Sequence, residues 1–239
     1  MKRYNFLVLL VSVLVLFPAR ADDLEVFTPY ALYDNPIVEF TQEPEYDDFC
    51  TSSFAPYGAL EMDEEEMSQY LTSLQDGPCA RIYEVGDEGP AGGRVFYISD
   101  DEGKHGLEAA PDDFSGVEWG CHGIKVEGTN HTEIGGGKDN SDAHAEFNCK
   151  SRWGGRVAFD VVKDYKLHGY LDWYVPSRDE LLTMKSELSV KDLGNFAKSC
   201  YWASTEAWGT FSWMVNFGSG GYVYGEKSLR VRVKPIRTF

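Results

Sequence analysis

The stretch that decides the fold runs Tyr170-Leu-Asp-Trp-Tyr-Val-Pro-Ser-Arg-Asp-Glu-Leu-Leu182. Ser177 and Glu180 stand at the spacing of a capping box, in which the Ser oxygen accepts the N3 amide and the Glu carboxylate accepts the Ser amide. Pro176 stands just before the cap, where its missing amide cannot disturb the helical hydrogen bonds. The stretch therefore predicts a helix that begins at Ser177.

The residues after this helix are typical of strands. Tyr201-Trp-Ala-Ser-Thr-Glu206 is followed by an aromatic hairpin over residues 211–224, with its turn at Gly218-Ser-Gly-Gly221. Apolar residues alternate along the first hairpin strand, which predicts one buried face. That face consists of Phe211, Trp213, Val215 and Phe217. A last alternation predicts a strand with one apolar and one basic face, made of Leu229, Val231 and Val233 against Arg230, Arg232 and Lys234.

The residues before the helix contain strands first and helices later. Residues 94–99 and 106–111 are typical of strands, and residues 112–141 are predicted to be a loop. The helical periodicity of residues 157–165 predicts a helix, and an earlier helix is expected over residues 142–152. This order of elements predicts an α+β domain.

Several motifs of residues 86–237 together resemble the Lcl C-terminal domain family, found in the Legionella collagen-like adhesins and other bacterial envelope proteins. Besides the two stretches quoted above, the motifs are Gly89-Pro-Ala-Gly-Gly93, Gly106-Leu-Glu-Ala-Ala-Pro111 and Val233-Lys-Pro-Ile-Arg237. The resemblance implies a variant of the C-type lectin fold, and it favours a binding module over an enzyme. It also implies a disulfide between Cys121 and Cys149, which both have counterparts in the family.

The first 21 residues predict a secretory signal peptide. Lys2 and Arg3 precede an apolar run over residues 6–17, and Ala19-Arg-Ala21 suits a signal peptidase. The run is shorter than the roughly 20 residues that span a bilayer. We therefore expect cleavage before Asp22 and a secreted or periplasmic protein that is not an integral membrane protein.

The charge divides the remaining chain into an arm and a domain. Residues 22–80 contain 15 acidic residues and no Lys or Arg, whereas residues 81–239 contain 24 acidic and 19 basic residues. Such an arm repels its own compaction and is predicted to be partly ordered, with a short helix over residues 62–74. Nucleic acid is excluded as a partner because neither part has the basic stripe that phosphate neutralisation requires.

The five cysteines make disulfides the default expectation in an oxidising compartment. After the pair implied by the resemblance, Cys50 with Cys79 is the next pairing, and Cys200 is the expected odd thiol. A zinc site stays open as an alternative, with Cys121, His122, His144 and Cys149 as its four ligands. A disulfide is the simpler use of the two cysteines.

Two further sets of polar residues have a chemical and a structural interpretation. Asp172 and Glu180 could form a catalytic acid pair, but the capping-box spacing already accounts for Glu180. Residues 139–142 offer Asp139, Asn140 and Asp142 as possible calcium ligands in a loop. A helix N-cap at Asn140 or Ser141 is the favoured interpretation there, so no cofactor is predicted and calcium stays open.

The candidate ligand-binding residues are aromatic. Trp208, Tyr222 and Tyr224 flank predicted turns, where rings can be exposed, whereas Trp202 and Trp213 are predicted to be core. The expected function is non-catalytic recognition of a glycan or an extracellular protein, as in an adhesin. One alternative is an enzyme, such as a relative of the formylglycine generators, which need a cysteine pair where this chain has Cys200 alone. Another alternative is a structural component of the envelope.

Overall fold

The structure is a computed structural model that describes residues 63–73 and 81–239, all within one structural unit. The described helices are α1 (Glu64–Ser73), α2 (Gly136–Phe147), α3 (Ala158–Lys163) and α4 (Arg178–Met184), which a π-helical turn at Lys185–Ser189 extends. The described strands are β1 (Arg94–Ile98), β2 (Gly106–Ala109), β3 (Phe114–Val117), β4 (Cys200–Trp208), β5 (Phe211–Asn216), β6 (Tyr222–Glu226), β7 (Val231–Val233) and β8 (Ile236–Thr238). The predicted α+β class is confirmed.

The strands form two sheets. The smaller sheet has the order β1-β2-β8, so the last strand of the chain pairs with a strand from the start of the domain. The larger sheet has the order β3-β7-β4-β5-β6, in which the β4–β7 pair is parallel and the other pairs are antiparallel. The predicted hairpin is the β5–β6 pair, in which Trp213 stands opposite Tyr224 and Val215 opposite Tyr222.

The larger sheet separates two hydrophobic cores. One core contains Trp119, Trp173 and Trp202 together with the apolar residues of α3. The other contains Tyr201 and the apolar residues of α4, β1 and β2. Tyr201 and Trp202 are consecutive in β4 and both fully buried, because successive side chains of a strand point to opposite faces of a sheet. The prediction that Trp202 is a core residue is confirmed.

The capping box at the start of α4 is confirmed. Ser177 is the N-cap, its Oγ accepts the amide of Glu180 at 3.2 Å, and its own amide donates to Glu180 Oε2 at 2.6 Å. The prediction of an N-cap at Asn140 or Ser141 is wrong. Helix α2 begins earlier, after Gly135, whose amide donates to the carboxylate of Glu180. That partner is 45 residues away in the chain, so no local pattern could indicate it.

Two other expectations need correction. Residues 112–141 are not entirely loop, since they contain β3 and the start of α2. The strand predicted over residues 229–234 is also shorter than expected, since β7 spans only Val231–Val233. Its three basic residues differ in environment, because Arg230 is exposed, Arg232 pairs with Asp113, and Lys234 is buried with its amine on the Pro111 carbonyl.

The short helix predicted within the arm is confirmed as α1. It packs against the domain, since Leu71 contacts the core that contains Trp173 and the hydroxyl of Ser68 accepts the amide of Leu171 at 3.4 Å. Glu64 of α1 also forms an ion pair with Lys166. Residues 1–62 and 74–80 lie outside the described residues, and with them the signal peptide, the rest of the arm, Cys50 and Cys79. No helix within the described ranges is long and apolar enough to cross a membrane.

Candidate functional site

The hairpin of β5 and β6, together with the end of β4, brings five aromatic side chains onto one surface. We call this surface the aromatic face, and it consists of Trp208, Phe211, Trp213, Tyr222 and Tyr224. The antiparallel registers Trp208–Phe211 and Trp213–Tyr224 place these residues opposite one another on neighbouring strands. The alternation of a strand then directs Tyr222 and Tyr224 to the same side of β6.

The rings of the aromatic face form a continuous contact network. Trp208 lies 5.1 Å from Phe211 and 4.9 Å from Tyr224, measured between ring centroids. Trp213 lies 5.3 Å from Tyr222 and 6.0 Å from Tyr224, both edge-on. These separations lie within the range that aromatic pairs prefer, so the rings hold one another in place without a covering element.

The three residues predicted to bind ligand are the most exposed members of this face. Trp208 is 48% exposed, Tyr222 is 50% exposed and Tyr224 is 54% exposed. Their neighbour Val223, on the opposite side of β6, is 44% exposed as well. The structure therefore brings Trp208, Tyr222 and Tyr224 together at the surface as a platform of half-exposed rings. Whether a ligand binds there stays a prediction.

Arg178 borders the aromatic face on the side of α4. Its guanidinium lies 4.9 Å from the ring centre of Tyr222 and 5.7 Å from that of Trp213. Its Nε donates to Asp179 Oδ1 at 2.8 Å, which keeps the guanidinium over the two rings. The stacking adds a cation and further hydrogen-bond donors to an aromatic surface. Sequence reasoning missed Arg178, because only the tertiary packing of α4 beside the hairpin brings it there.

The predicted buried face of β5 is only half correct. Val215 and Phe217 are buried against α4, but Phe211 and Trp213 are half-buried and belong to the aromatic face. On the other side of β5, Met214 is buried in the core that contains Trp202. The side chains of β5 do alternate between two faces, but α4 covers only the end of the strand next to the turn at residues 218–221. The prediction that Trp213 is a core residue is therefore wrong.

The candidate acid pair has structural partners. Asp172 accepts from Arg237 with both carboxylate oxygens, at 2.8 Å from Nε and 2.9 Å from Nη2. Glu180 is fully buried and accepts the amides of Ser177 and Gly135. Burial raises the pKa of Glu180 to about 7, against the hydrogen bonds from these amides, which lower it. Both carboxylates therefore act in the packing of the domain.

The residues considered for metal binding are also engaged elsewhere. Asp139, Asn140 and Asp142 lie on α2 and not in a loop, and Asn140 is buried with its side chain bonded to His131 and Ser204. His144 is buried, its Nε2 donates to the Trp119 carbonyl, and burial lowers its pKa to about 3. No group of three or more His, Cys, Asp or Glu in the described part of the chain could hold a metal ion.

The cysteines of the described part agree with the expected pairing. Cys121 and Cys149 form a disulfide, as the family resemblance implies. Cys200, at the start of β4, is free and half-buried. Burial raises the pKa of the Cys200 thiol, which disfavours the reactive thiolate. The predicted bond between Cys50 and Cys79 lies outside the described residues.

Comparisons with known proteins give no family for this chain. No family model matches it, and no curated protein matches it. One of the solved structures that match is a fimbrial protein from Bacteroides ovatus ATCC 8483, with a TM-score of 0.42 and 16% sequence identity. The match covers 60% of this chain and 43% of that protein, so it spans less than half of the length of the fimbrial protein.

Proposed function

We propose that this protein is a non-catalytic binding module that works outside the cytoplasm and recognises a glycan or another protein through the aromatic face. The observation that carries the proposal is the exposure of Trp208, at the end of β4, beside Tyr222 and Tyr224 of β6 in one network of ring contacts. Tyr and Trp combine a flat apolar surface with a polar edge, which suits both the rings of sugars and the anchors of protein interfaces.

The rigidity of the face supports a binding role. Each ring contacts at least one other ring of the face, and Arg178 stacks on the Tyr222 end. A surface whose side chains are already held loses little conformational freedom when a ligand binds. Aromatic residues and Arg are also the residue types that contribute most to binding energy at interfaces.

The family and the compartment form part of the same proposal. We propose a C-type-lectin-like domain related to the Lcl C-terminal domain family, secreted or periplasmic after removal of residues 1–21. The support is the order of the sequence motifs, together with the bond between Cys121 and Cys149, since such bonds persist in oxidising compartments. An enzyme of the formylglycine-generator type is disfavoured because those enzymes need a cysteine pair, and Cys200 stands alone in that region.

The test is an array of glycans and extracellular-matrix proteins probed with the purified mature protein, with and without EDTA. The ligand found there is then titrated against a variant that combines Trp208→Ala and Tyr222→Ala. We expect binding to weaken by about a thousandfold, because two aromatic hot spots at about 2 kcal/mol each lose about 4 kcal/mol together, and about 1.4 kcal/mol is a factor of ten. EDTA should leave binding unchanged if no cation takes part.

A matched control removes exposed apolar residues outside the aromatic face. Trp153 is 63% exposed and Val190 is 70% exposed, so a variant with both changed to Ala loses a comparable apolar surface. Its affinity should equal that of the unchanged protein. If the Trp208 and Tyr222 variant folds and binds with unchanged affinity, the aromatic face is not the site, and residues 112–141 become the next candidate.

A further inference from the structure

A second, separate concavity lies beside the smaller sheet. It has a volume of about 210 Å³. Its walls come from the turn at Gly92 and Gly93, from Ala109 and the two residues after it, and from the segment of residues 188–196. Apolar groups of Leu188, Leu193 and Phe196 form one side. The cavity has room for several water molecules or a small organic molecule.

The amine of Lys234 lies at the wall of this cavity. Its Nζ donates to the carbonyl of Pro111 at 2.9 Å and lies 5.0 Å from the ring centre of Phe196, and both residues line the cavity. Lys234 is only 2% exposed. An ammonium group has three donors, and the Pro111 carbonyl satisfies one of them. The structure thus places a buried cation with unused donors beside an open space.

The other buried cations of the described chain are paired in a way that Lys234 is not. Lys227 pairs with Glu206 at 2.9 Å, and Arg237 pairs with Glu108 at 2.9 Å. No carboxylate of the described residues lies within ion-pair distance of Lys234 Nζ. Burial of a charge without a counter-charge is unfavourable, so an anion that reached this amine would be stabilised there.

The charges around the cavity favour an anion as well. The charged residues of its lining are Lys234 and Arg94, both cationic, although residues 81–239 as a whole are acidic. Asp112 and Asp113 lie close enough to raise the pKa of Lys234, but burial outweighs them and lowers it to about 8. Both acids have other partners, since Asp112 accepts from Tyr165 and Asp113 accepts from Tyr201 and Arg232.

We propose that this cavity binds a carboxylate attached to a short apolar group, with Lys234 as the counter-charge and the apolar wall around the hydrocarbon part. Such a group occurs in free short-chain carboxylic acids and at the C-terminus of a peptide that ends in an apolar residue. The site is separate from the aromatic face, and its ligand binds without covalent chemistry.

The experiment uses the full mature chain, with ¹³C-labelled lysine and NMR detection of the Lys234 side chain. Butyrate is the probe, and butylamine, which has the same hydrocarbon part with a positive charge, is the control compound. We expect butyrate to shift the Lys234 signal in a saturable way and to raise the pKa of Lys234, because an anion stabilises the ammonium form. Butylamine should do neither. An unchanged pKa of Lys234 in excess butyrate overturns the proposal.

A variant tests the role of the amine independently. Lys234→Met keeps the length of the side chain without the charge, and its affinity for butyrate should fall at least about tenfold. Lys125→Met is the matched control, since Lys125 is exposed and pairs with Glu127, and its affinity should not change. Equal affinity in a folded Lys234→Met variant overturns the proposal. If that variant does not fold, the pKa measurement on the unchanged protein still decides.

Two peptides distinguish the possible sources of the carboxylate. They carry the sequence Ala-Leu with an acetylated N-terminus and either a free or an amidated C-terminus. A free-carboxylate peptide that binds more tightly than butyrate indicates a protein terminus, and one that does not bind indicates a free small acid. Binding of the amidated peptide at the same affinity overturns the proposal. The Trp208 and Tyr222 variant should bind butyrate normally, so failure here is distinguishable from failure of the proposed function.

Discussion

Glu180 shows how one side chain can organise two elements. Its carboxylate accepts the Ser177 amide at the start of α4 and the Gly135 amide at the start of α2, and it has no exposed surface. The amides at a helix start have no partners within the helix, so a carboxylate at both starts satisfies donors of both helices. The sequence indicated the first of these roles through the capping box, and only the structure shows the second.

The buried carboxylate of Glu180 predicts a pH dependence of stability. Its pKa in the folded protein is raised to about 7, above the ordinary value of 4.5. Between these values the native state binds the proton more tightly than the unfolded state, so the free energy of unfolding falls as the pH rises from 4.5 to 7. The Glu180→Gln variant lacks this contribution. Urea denaturation at several pH values should show the stability difference between the two proteins shifting in favour of the variant as the pH rises.

A stability difference between these two proteins that stays constant over the same pH range would contradict this prediction. Asp100, whose pKa is lowered by its backbone hydrogen bonds, is present in both proteins, so its contribution cancels in the comparison. The comparison therefore isolates Glu180.

Glu108 explains the glycine motif near the start of the domain in the same way. Its carboxylate accepts the amides of Ala91 and Gly93 and pairs with the buried Arg237 from the last strand. A Cβ on Gly89 would lie 2.5 Å from this carboxylate. The motifs that suggest a family thus describe a buried network that joins the two ends of the domain, and they give no information about the ligand.

At the scale of elements, Gly137 lies where α2 packs directly against the start of α4. A Cβ at this position would lie 2.2 Å from Glu180 Oε2 and 2.8 Å from the Ser177 amide nitrogen. In an ordinary helix, the change from Gly to Ala stabilises by about 1 kcal/mol. Here the added methyl group meets a buried carboxylate and backbone that cannot move away without breaking the capping box.

We therefore expect Gly137→Ala to lower the free energy of unfolding by about 1–3 kcal/mol, as overpacking does. Chemical denaturation of the purified variant measures the effect. The sign of the change in the free energy of unfolding is the test, because helix propensity alone predicts that the variant is more stable. A variant as stable as the unchanged protein would show that α2 and α4 can separate here at little cost.

Strand β5 shows the limit of periodicity as a guide to exposure. The alternation of residues 211–217 correctly indicated a strand and its two faces. It could not indicate that α4 covers Val215 and Phe217 while leaving Trp213 half-buried beside Arg178. Which residues of a strand a helix covers depends on how the two elements pack in the folded domain. The sequence of the strand alone does not indicate that packing.

At the scale of the whole molecule, α1 ties the arm to the domain through a small contact. Leu71 packs on the core, Ser68 accepts the Leu171 amide, and Glu64 pairs with exposed Lys166. An exposed ion pair contributes little to stability, so the partly buried Leu71 is the main contribution. Among the described residues, the other members of the cores on both faces of the larger sheet all come after residue 81.

A chain that begins at Arg81 should therefore still unfold cooperatively, with a free energy of unfolding lower by about 1–3 kcal/mol for the loss of the Leu71 contacts. Thermal and urea denaturation measure this loss. The Leu71→Ala variant of the longer chain is the matched control and should account for most of it. Aggregation of the shorter chain while the longer one stays folded would show that the arm is an integral part of the domain.

The sequence by itself determined the features that depend on neighbours in the chain. These are the α+β order of elements, the capping box at Ser177, the hairpin around Gly218-Ser-Gly-Gly221 and the positions of Trp208 and Tyr222 beside turns. Tyr224 was also predicted to flank a turn, but it lies inside β6. Each rests on local geometry, because helices, strands and tight turns are set by residues a few positions apart. The family resemblance added the disulfide of Cys121 and Cys149.

Only the tertiary structure decided that Trp213 is half-buried, which cations are buried and where α2 begins. Arg178 reaches Tyr222 across 44 residues of sequence, and Lys234 reaches the Pro111 carbonyl across 123. Burial, ion pairing and cavity shape are properties of groups that are distant in the chain and close in space. The periodicity of a single segment therefore cannot predict burial, ion pairing or cavity shape. For this reason, the aromatic face and the cavity beside Lys234 could be described only from the folded domain.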